Sequence, residues 1–248
     1  MKISARKPSA DLGLALAAAL VLLTPGLRAQ DATDAQTARD NAPDTDSSPY
    51  HQALLNYKSG NYAAARVAID EAETEKPNDL AIAVLKGRIL TEQHDFAGGE
   101  TLLRRYLGPN GPLPVQLALG DLFLRARDFG HAANLYDQAL AAKPNDPDIT
   151  LKFIYALIST GDLVTAGKYA SQLKPLDPVN PAYYFARAAL AQATGDSATS
   201  DQDIETVRTI YGSTVANRYL KIYLEVFSVK STPAGAPLPS TNAAPNHA

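Results

Sequence analysis

The sequence predicts an all-α chain built from stacked helix–turn–helix pairs, and three observations carry that expectation. Apolar residues recur at three- and four-residue spacing, as in "VQLALGDLFLRA" and "AANLYDQALAA", and no strict alternation is flanked by hairpin turns. A short turn motif appears five times, at Gly60-Asn61-Tyr62, His94-Asp95-Phe96, Arg127-Asp128-Phe129, Gly161-Asp162-Leu163 and Gly195-Asp196-Ser197, with spacings of 34, 33, 34 and 34 residues. A proline follows three of these turns by the same 17 residues, at Pro77, Pro144 and Pro178; the first two lie in identical "KPND" stretches. The Gly/Asn/Asp turn reverses the chain between two helices. The proline cannot easily continue a helix, so it closes the pair. A single pair cannot bury its apolar faces, so the pairs must stack.

Residues 1–29 begin with Lys2, Arg6 and Lys7, continue through twelve uncharged residues (Leu12–Leu23), and leave through Thr24-Pro25-Gly26 to small Ala29. Twelve residues are too few to span a bilayer, which takes about 20. The pattern fits a secretory signal peptide cut near Ala29 better than a buried helix or an uncleaved interfacial anchor. Residues 30–48 are polar, rich in Asp and Ala, and hold no large apolar side chain; this leader cannot offset the entropy of ordering. Residues 49–230 are the expected folded part. Its repeats run over about 46–79, 80–112, 113–146, 147–180 and 181–212, followed by a capping helix over 214–230. The cap carries Val215, Tyr219, Ile222, Tyr223 and Val226 at helical spacing, with Arg218, Lys221 and Glu225 expected to face water. Within each pair, small residues let the helices approach, and Ile69, Leu103, Tyr136 and Leu173 are expected to fill the seams between neighbouring pairs. The "GPNGP" loop should make the junction after the second pair less regular. Residues 231–248 form a Pro/Ala/Ser/Asn tail expected to be extended and disordered.

The third repeat carries a resemblance. Leu119-Gly120, Phe123, Ala132, Tyr136, Ala139 and Pro144 match the pattern L-G-x-x-Y…A-x-x-x-F…P of the tetratricopeptide repeat family, with Gln116 at the family's tryptophan position. Repeat one keeps Tyr62, Ala65, Ala72 and Pro77; repeat two keeps Gly87 and Phe96 but has Gly99 and Tyr106 where the family prefers Ala; repeat four keeps Ala166 and Pro178; repeat five keeps little beyond its turn. The resemblance implies a right-handed superhelical α-solenoid, with the first helix of each pair lining a concave face that binds protein partners.

Composition excludes much else. The chain has no cysteine, so disulfides, thiolate metal sites, cysteine catalysis and a lipid-modified cysteine are ruled out. Removing residues 1–29 takes away four basic residues and Asp11, leaving 19 Lys and Arg against 25 Asp and Glu, a net of −6. That balance argues against a nucleic-acid partner. His51, His94, His131 and His247 are scattered, and Asp146/Asp148 and Asp201/Asp203 lack the further oxygen ligands and glycine of a calcium loop. "LGPNGPL" lacks the Lys-Ser/Thr of a phosphate loop, and no serine sits in a G-x-S-x-G elbow. The expectation is a non-enzymatic protein, with no catalytic residues, no metal and no cofactor, and no stable membrane span after signal cleavage.

Carried onto this chain, the family's concave face gives candidate partner-binding residues: Arg88; Leu117, Asp121, Leu124 and Arg125; Leu151, Tyr155 and Ile158; Phe185 and Gln192. Apolar side chains with a few forked donors suit a peptide or amphipathic helix, with Arg88 and Arg125 taking carboxylates or carbonyls. The alternative is that Leu117, Leu151 and Ile158 are ordinary packing residues and that the two arginines pair within the chain. The chaperone-binding members' Lys/Asn clamp is absent, because Tyr50, Leu54, Ala81, Leu85, Leu117 and Ala118 stand where its polar residues would be. The expected function is a periplasmic or secreted scaffold for an unidentified protein partner in the cell envelope. A second reading, an accessory module for polysaccharide or envelope-component export, rests on Tyr155, Tyr183, Tyr184 and Phe185 as aromatic surface for sugar rings.

Overall fold

The computed structural model describes residues 47–108 and 111–227. The signal peptide, all but the last two residues of the leader, the 231–248 tail and the end of the cap helix beyond residue 227 lie outside the described residues. Among the described residues there are eleven α-helices and no strand. They are α1 (Pro49–Lys58), α2 (Tyr62–Glu75), α3 (Leu80–Glu92), α4 (Phe96–Leu107), α5 (Leu113–Arg125), α6 (Phe129–Ala142), α7 (Pro147–Thr160), α8 (Leu163–Ala170), α9 (Ala182–Ala193), α10 (Ser197–Tyr211) and α11 (Ser213–Phe227). None of these helices is long and apolar enough to cross a membrane.

The five recurring turns share one backbone device. Gly60, His94, Arg127, Gly161 and Gly195 all have positive φ, between 61° and 90°. This left-handed residue ends the first helix, and the next residue caps the second. Asn61, Asp95, Asp128, Asp162 and Asp196 each accept a hydrogen bond from the amide three residues on, which satisfies an otherwise orphaned helix donor. Three pairs place glycine at the left-handed position; two tolerate His or Arg there.

The "KPND" stretches are the complementary device between pairs. Asn78 and Asn145 adopt φ of 64° and 62°. Asp79 and Asp146 then cap α3 and α7, each accepting from the amides two and three residues ahead. The fourth repeat corrects the register read from sequence. Its closing proline is Pro175, not Pro178: in Lys174-Pro175-Leu176-Asp177, Leu176 has φ of 58° and Asp177 accepts from the amides of Val179 and Asn180 at 3.0 Å. Helix α8 is only 8 residues long, against 14 for α2 and α6, so its turn comes early. The surplus chain reaches α9 through Pro178 and Asn180, whose side chain accepts from the Ala182 amide.

Helices within a pair pack through glycine notches. A Cβ on Gly87 would lie 2.7 Å from Leu103, and one on Gly120 would lie 2.8 Å from the Tyr136 ring. Leu103 and Tyr136 therefore fill the gap inside their own repeats rather than the seams between repeats. Between pairs, first helices touch at α1–α3, α3–α5 and α7–α9, whereas no two second helices among the described residues are similarly close. That asymmetry curves the stack, with first helices inside. Val67 of α2 and Val164 of α8 stand exposed on the outer side. The buried residues form two clusters that meet in the second repeat, one spanning Ala53–Ile89 and the other running from Val84 and Leu103 onward. Helices α5 and α7 are the loosest first-helix neighbours; the Lys152 ammonium joins them through Asp121 at 2.7 Å.

Candidate functional site

The inner face of the stack already holds a helix. Gly212 (φ 81°) alone connects α10 to α11, and α11 turns back along the first helices. It packs on α9 and α10 and also touches α5 and α7. The expectation of a cap over the last repeat is thus half the story; the same helix runs inward along the concave face.

Two faces of α11 hold it there. Tyr219, Tyr223 and Phe227 recur every fourth residue, which places them on one side of the helix. The Tyr219 ring stacks on Phe185 at 5.6 Å, and Phe227 meets Tyr155 edge-on at 5.2 Å. Tyr223 sits between them, 6.1 Å from Phe185 and 6.2 Å from Tyr155. The Tyr219 hydroxyl donates to Asp148 at 2.6 Å, and burial together with that carboxylate pushes the phenol well above its ordinary value. The Tyr223 and Ser200 hydroxyls share a 2.7 Å hydrogen bond.

The second face is ionic. Glu92 at the end of α3 receives Arg125 at 2.9 Å and Lys221 of α11 at 3.0 Å, while Arg125 also lies 3.4 Å from Glu225 of α11. Lys221 reaches the first repeat as well, donating to the Tyr62 hydroxyl at 3.2 Å. Glu92 and Arg125 are only 10% and 14% exposed, so this is a nearly buried pair. Burial opposes ionisation of Glu92, but Arg125 and then Lys221 outweigh it and hold the carboxyl below its ordinary value. Burial likewise opposes the charge on Arg125, and Glu92 and then Glu225 outweigh it and hold the guanidinium above its own ordinary value. The sequence pattern puts Arg218, Lys221 and Glu225 in water; Arg218 and Lys221 are exposed and Glu225 is partly so, and all three line the inner cavity. Their residue types fit either environment, and only the path of α11 decides.

Between α11 and the first four repeats remains a cavity of about 500 Å³. Six cations line it: Lys58, Arg88, Arg125, Lys152, Arg218 and Lys221. Three carboxylates oppose them, Glu92, Asp121 and Glu225. Asp121 is engaged by Lys152 and by the Tyr136 hydroxyl, which donates at 2.7 Å; burial would raise its carboxyl, but Lys152 outweighs that and lowers it. The Arg88 Nε is buried and has no hydrogen-bond partner, and Arg88 makes no ion pair among the described residues. A second hollow of about 240 Å³ adjoins the first, sharing Lys152, Arg218 and Ile222 and adding Asp148, Leu151, Tyr155 and Tyr219.

The sequence-predicted residues divide accordingly. Arg88, Asp121, Leu124 and Arg125 line the main cavity, and Leu151 and Tyr155 line the second. Leu117 is half-buried against the core and Ile158 is buried in it. Phe185 is fully buried with Tyr219 stacked on it, and Gln192 is exposed outside both hollows. Leu124, Leu151, Tyr155, Ile158 and Phe185 are therefore packing residues rather than free surface, though Leu124, Leu151 and Tyr155 still show an edge to the hollows. The aromatic surface suggested for sugar rings disappears for the same reason: Tyr155, Tyr184 and Phe185 are buried, which leaves only Tyr183 partly open. Sequence reasoning missed Glu92, Lys152 and the contribution of α11. No local signal marked them: Arg218, Lys221 and Glu225 fall on the side of α11 opposite Tyr219, Tyr223 and Phe227, where water-facing residues would also fall.

Comparison with known proteins gives the architecture its name. Tetratricopeptide repeat models match residues 50–113 and 123–193, together just over half of the 248 residues. Human anaphase-promoting complex subunit 7 is 28% identical over 82 residues, a third of this chain; the matched stretch spans only 14% of that relative's length. Among solved structures, a thermophilic tetratricopeptide repeat protein of Thermus thermophilus superposes with a TM-score of 0.58 at 17% identity, over 71% of this chain and 97% of its own. PilW, a widely conserved type IV pilus biogenesis factor, superposes with a TM-score of 0.54 at 18% identity, over 79% of this chain and 93% of its own. With the five left-handed turns, the glycine notches and the inward first helices, these matches show that the chain belongs to the tetratricopeptide repeat family.

Proposed function

We propose that this protein is a non-enzymatic scaffold of the cell envelope, which binds a segment of a partner protein in the part of its concave face that α11 leaves open. The class, a protein–protein interaction scaffold, follows from the repeats and from the solenoids they resemble. The observation that carries the finer reading is the 500 Å³ cavity at the inner face, of a size suited to specific recognition and walled by both charged and apolar side chains. Export rests on the cationic start, short apolar run and small-residue exit of residues 1–29. A rigid, preformed groove lowers the ordering cost on the scaffold's side.

A photo-crosslinking residue at Lys58 on the cavity rim tests this reading, against the same residue at Val164 on the outer side. In the exported protein in its own cells, Lys58 should yield a defined adduct that reforms from purified components. Val164 should yield none. Adducts from Val164 alone, or equal yields at both positions, would overturn the inner-face reading.

A further inference from the structure

The cavity has a charge character opposite to that of the chain. The whole sequence carries a net charge of −3, yet the lining sets six cations against three carboxylates. Two of the carboxylates are hydrogen-bonded by cations, Glu92 by Arg125 and Lys221 and Asp121 by Lys152, while Glu225 has only the 3.4 Å ion pair to Arg125 and its Oε2 accepts no hydrogen bond. What remains is a guanidinium on each side. Arg88 projects from α3 with a buried Nε that meets no acceptor. Arg218 projects from α11 with its guanidinium exposed, lies over the Tyr219 ring at 5.1 Å and meets the Tyr219 hydroxyl, and forms no ion pair among the described residues. A guanidinium presents a planar fork of donors that matches a carboxylate, and the buried Nε of Arg88, left without an acceptor, is costly until an anion arrives.

The lining around these two arginines also includes Leu124, Ile222 and Val226 and the Tyr57 and Tyr62 side chains. Such surface suits the methylenes of a glutamate better than a bare inorganic ion. The main cavity shares Lys152, Arg218 and Ile222 with the second hollow, where the one carboxylate, Asp148, already accepts from Tyr219 and Asn180, and two adjoining hollows favour an extended chain over one compact molecule. We infer that the cavity takes a glutamate- or aspartate-rich peptide segment, with one carboxylate gripped between Arg88 of the solenoid and Arg218 of α11. This rests on the inner-face reading above and names the partner's chemistry. Since the two arginines sit on different elements, a bound segment also fastens α11 to the stack.

The test uses the full chain and three probes: a labelled glutamate-rich peptide, its glutamine counterpart and free citrate. Fluorescence anisotropy should show the glutamate peptide binding, weakening as salt rises, and the glutamine peptide not binding. Arg88→Gln and Arg218→Gln should each weaken binding about tenfold, while Arg104→Gln, on an arginine outside the cavity, should leave it unchanged. Circular dichroism checks each fold; Arg218 is exposed, so its variant keeps the test valid if Arg88→Gln misfolds. Binding that survives both cavity substitutions would overturn the assignment. Citrate binding without peptide binding would overturn the segment and leave a small-anion site. Binding of neither probe would overturn this inference while leaving the Lys58 crosslink as the separate arbiter of the inner-face reading.

Discussion

Gly120 illustrates how much a single residue can carry in this fold. An exposed helical glycine normally gains roughly 1 kcal/mol on replacement by alanine. Here the new Cβ would lie 2.8 Å from the Tyr136 ring, which is fully buried and tied through its hydroxyl to Asp121. The ring cannot yield, so overpacking should win, and Gly120→Ala should destabilise by about 2 kcal/mol. A thermal melt at or above the wild-type midpoint would contradict this. Glu92 makes a pH-dependent contribution of the same rank. Its carboxyl is held below the ordinary 4.5, so its stabilisation is present in full above that value and lost as pH falls through the lower folded value. Glu92→Gln should cost roughly 3 kcal/mol at neutral pH. In urea titrations its deficit should then shrink as the pH drops below 4.5, where wild type loses the same interaction. A deficit constant across that acidic window would contradict the assignment. At this scale the sequence revealed which residues occupy inward positions, such as Arg88 and Arg125, but not their pairing. Arg125 meets Glu92 of another repeat and Glu225 of another element, and no local pattern encodes either contact.

The turns were the most legible elements, because their chemistry is local. Each needs one residue tolerant of positive φ followed by one capping side chain, and both stand side by side in the sequence. The one turn misread, at Pro175, shows the limit: a proline at the expected spacing outweighed the Lys-Pro-x-Asp pattern three residues earlier, whose third position holds Leu176 in place of asparagine. Helix α11 was read correctly as a helix with an aromatic stripe and incorrectly as only a cap, since its amphipathic pattern states what it buries but not against what. Its aromatic face should dominate its attachment. Tyr223→Ala removes a nearly buried ring from between Phe185 and Tyr155 and should cost about 3 kcal/mol. Tyr223→Phe loses only the Ser200 hydrogen bond and should cost about 1 kcal/mol. Hydrogen exchange should accelerate over residues 213–227 in the alanine variant well before the repeats respond. Acceleration confined to the first two repeats would contradict the placement of α11.

For the whole molecule, repetition made the architecture readable: five copies of one turn fix a period, and a period fixes a stack. The binding surface was not readable in the same way. Contacts such as Lys221 to Tyr62, 159 residues apart, arise only once the stack has curved far enough for its last helix to meet its first repeat. That closure is the central claim, because it decides which part of the concave face is packing and which part is open to a partner. The chain has no cysteine, so spin labels can be placed cleanly at Ser59→Cys and Leu224→Cys, both exposed positions. The pulsed-dipolar distance between them in the free, full chain should be a single short, narrow distribution. A long or broad distribution would mean that α11 does not lie along the inner face, and the groove described here would have to be redrawn.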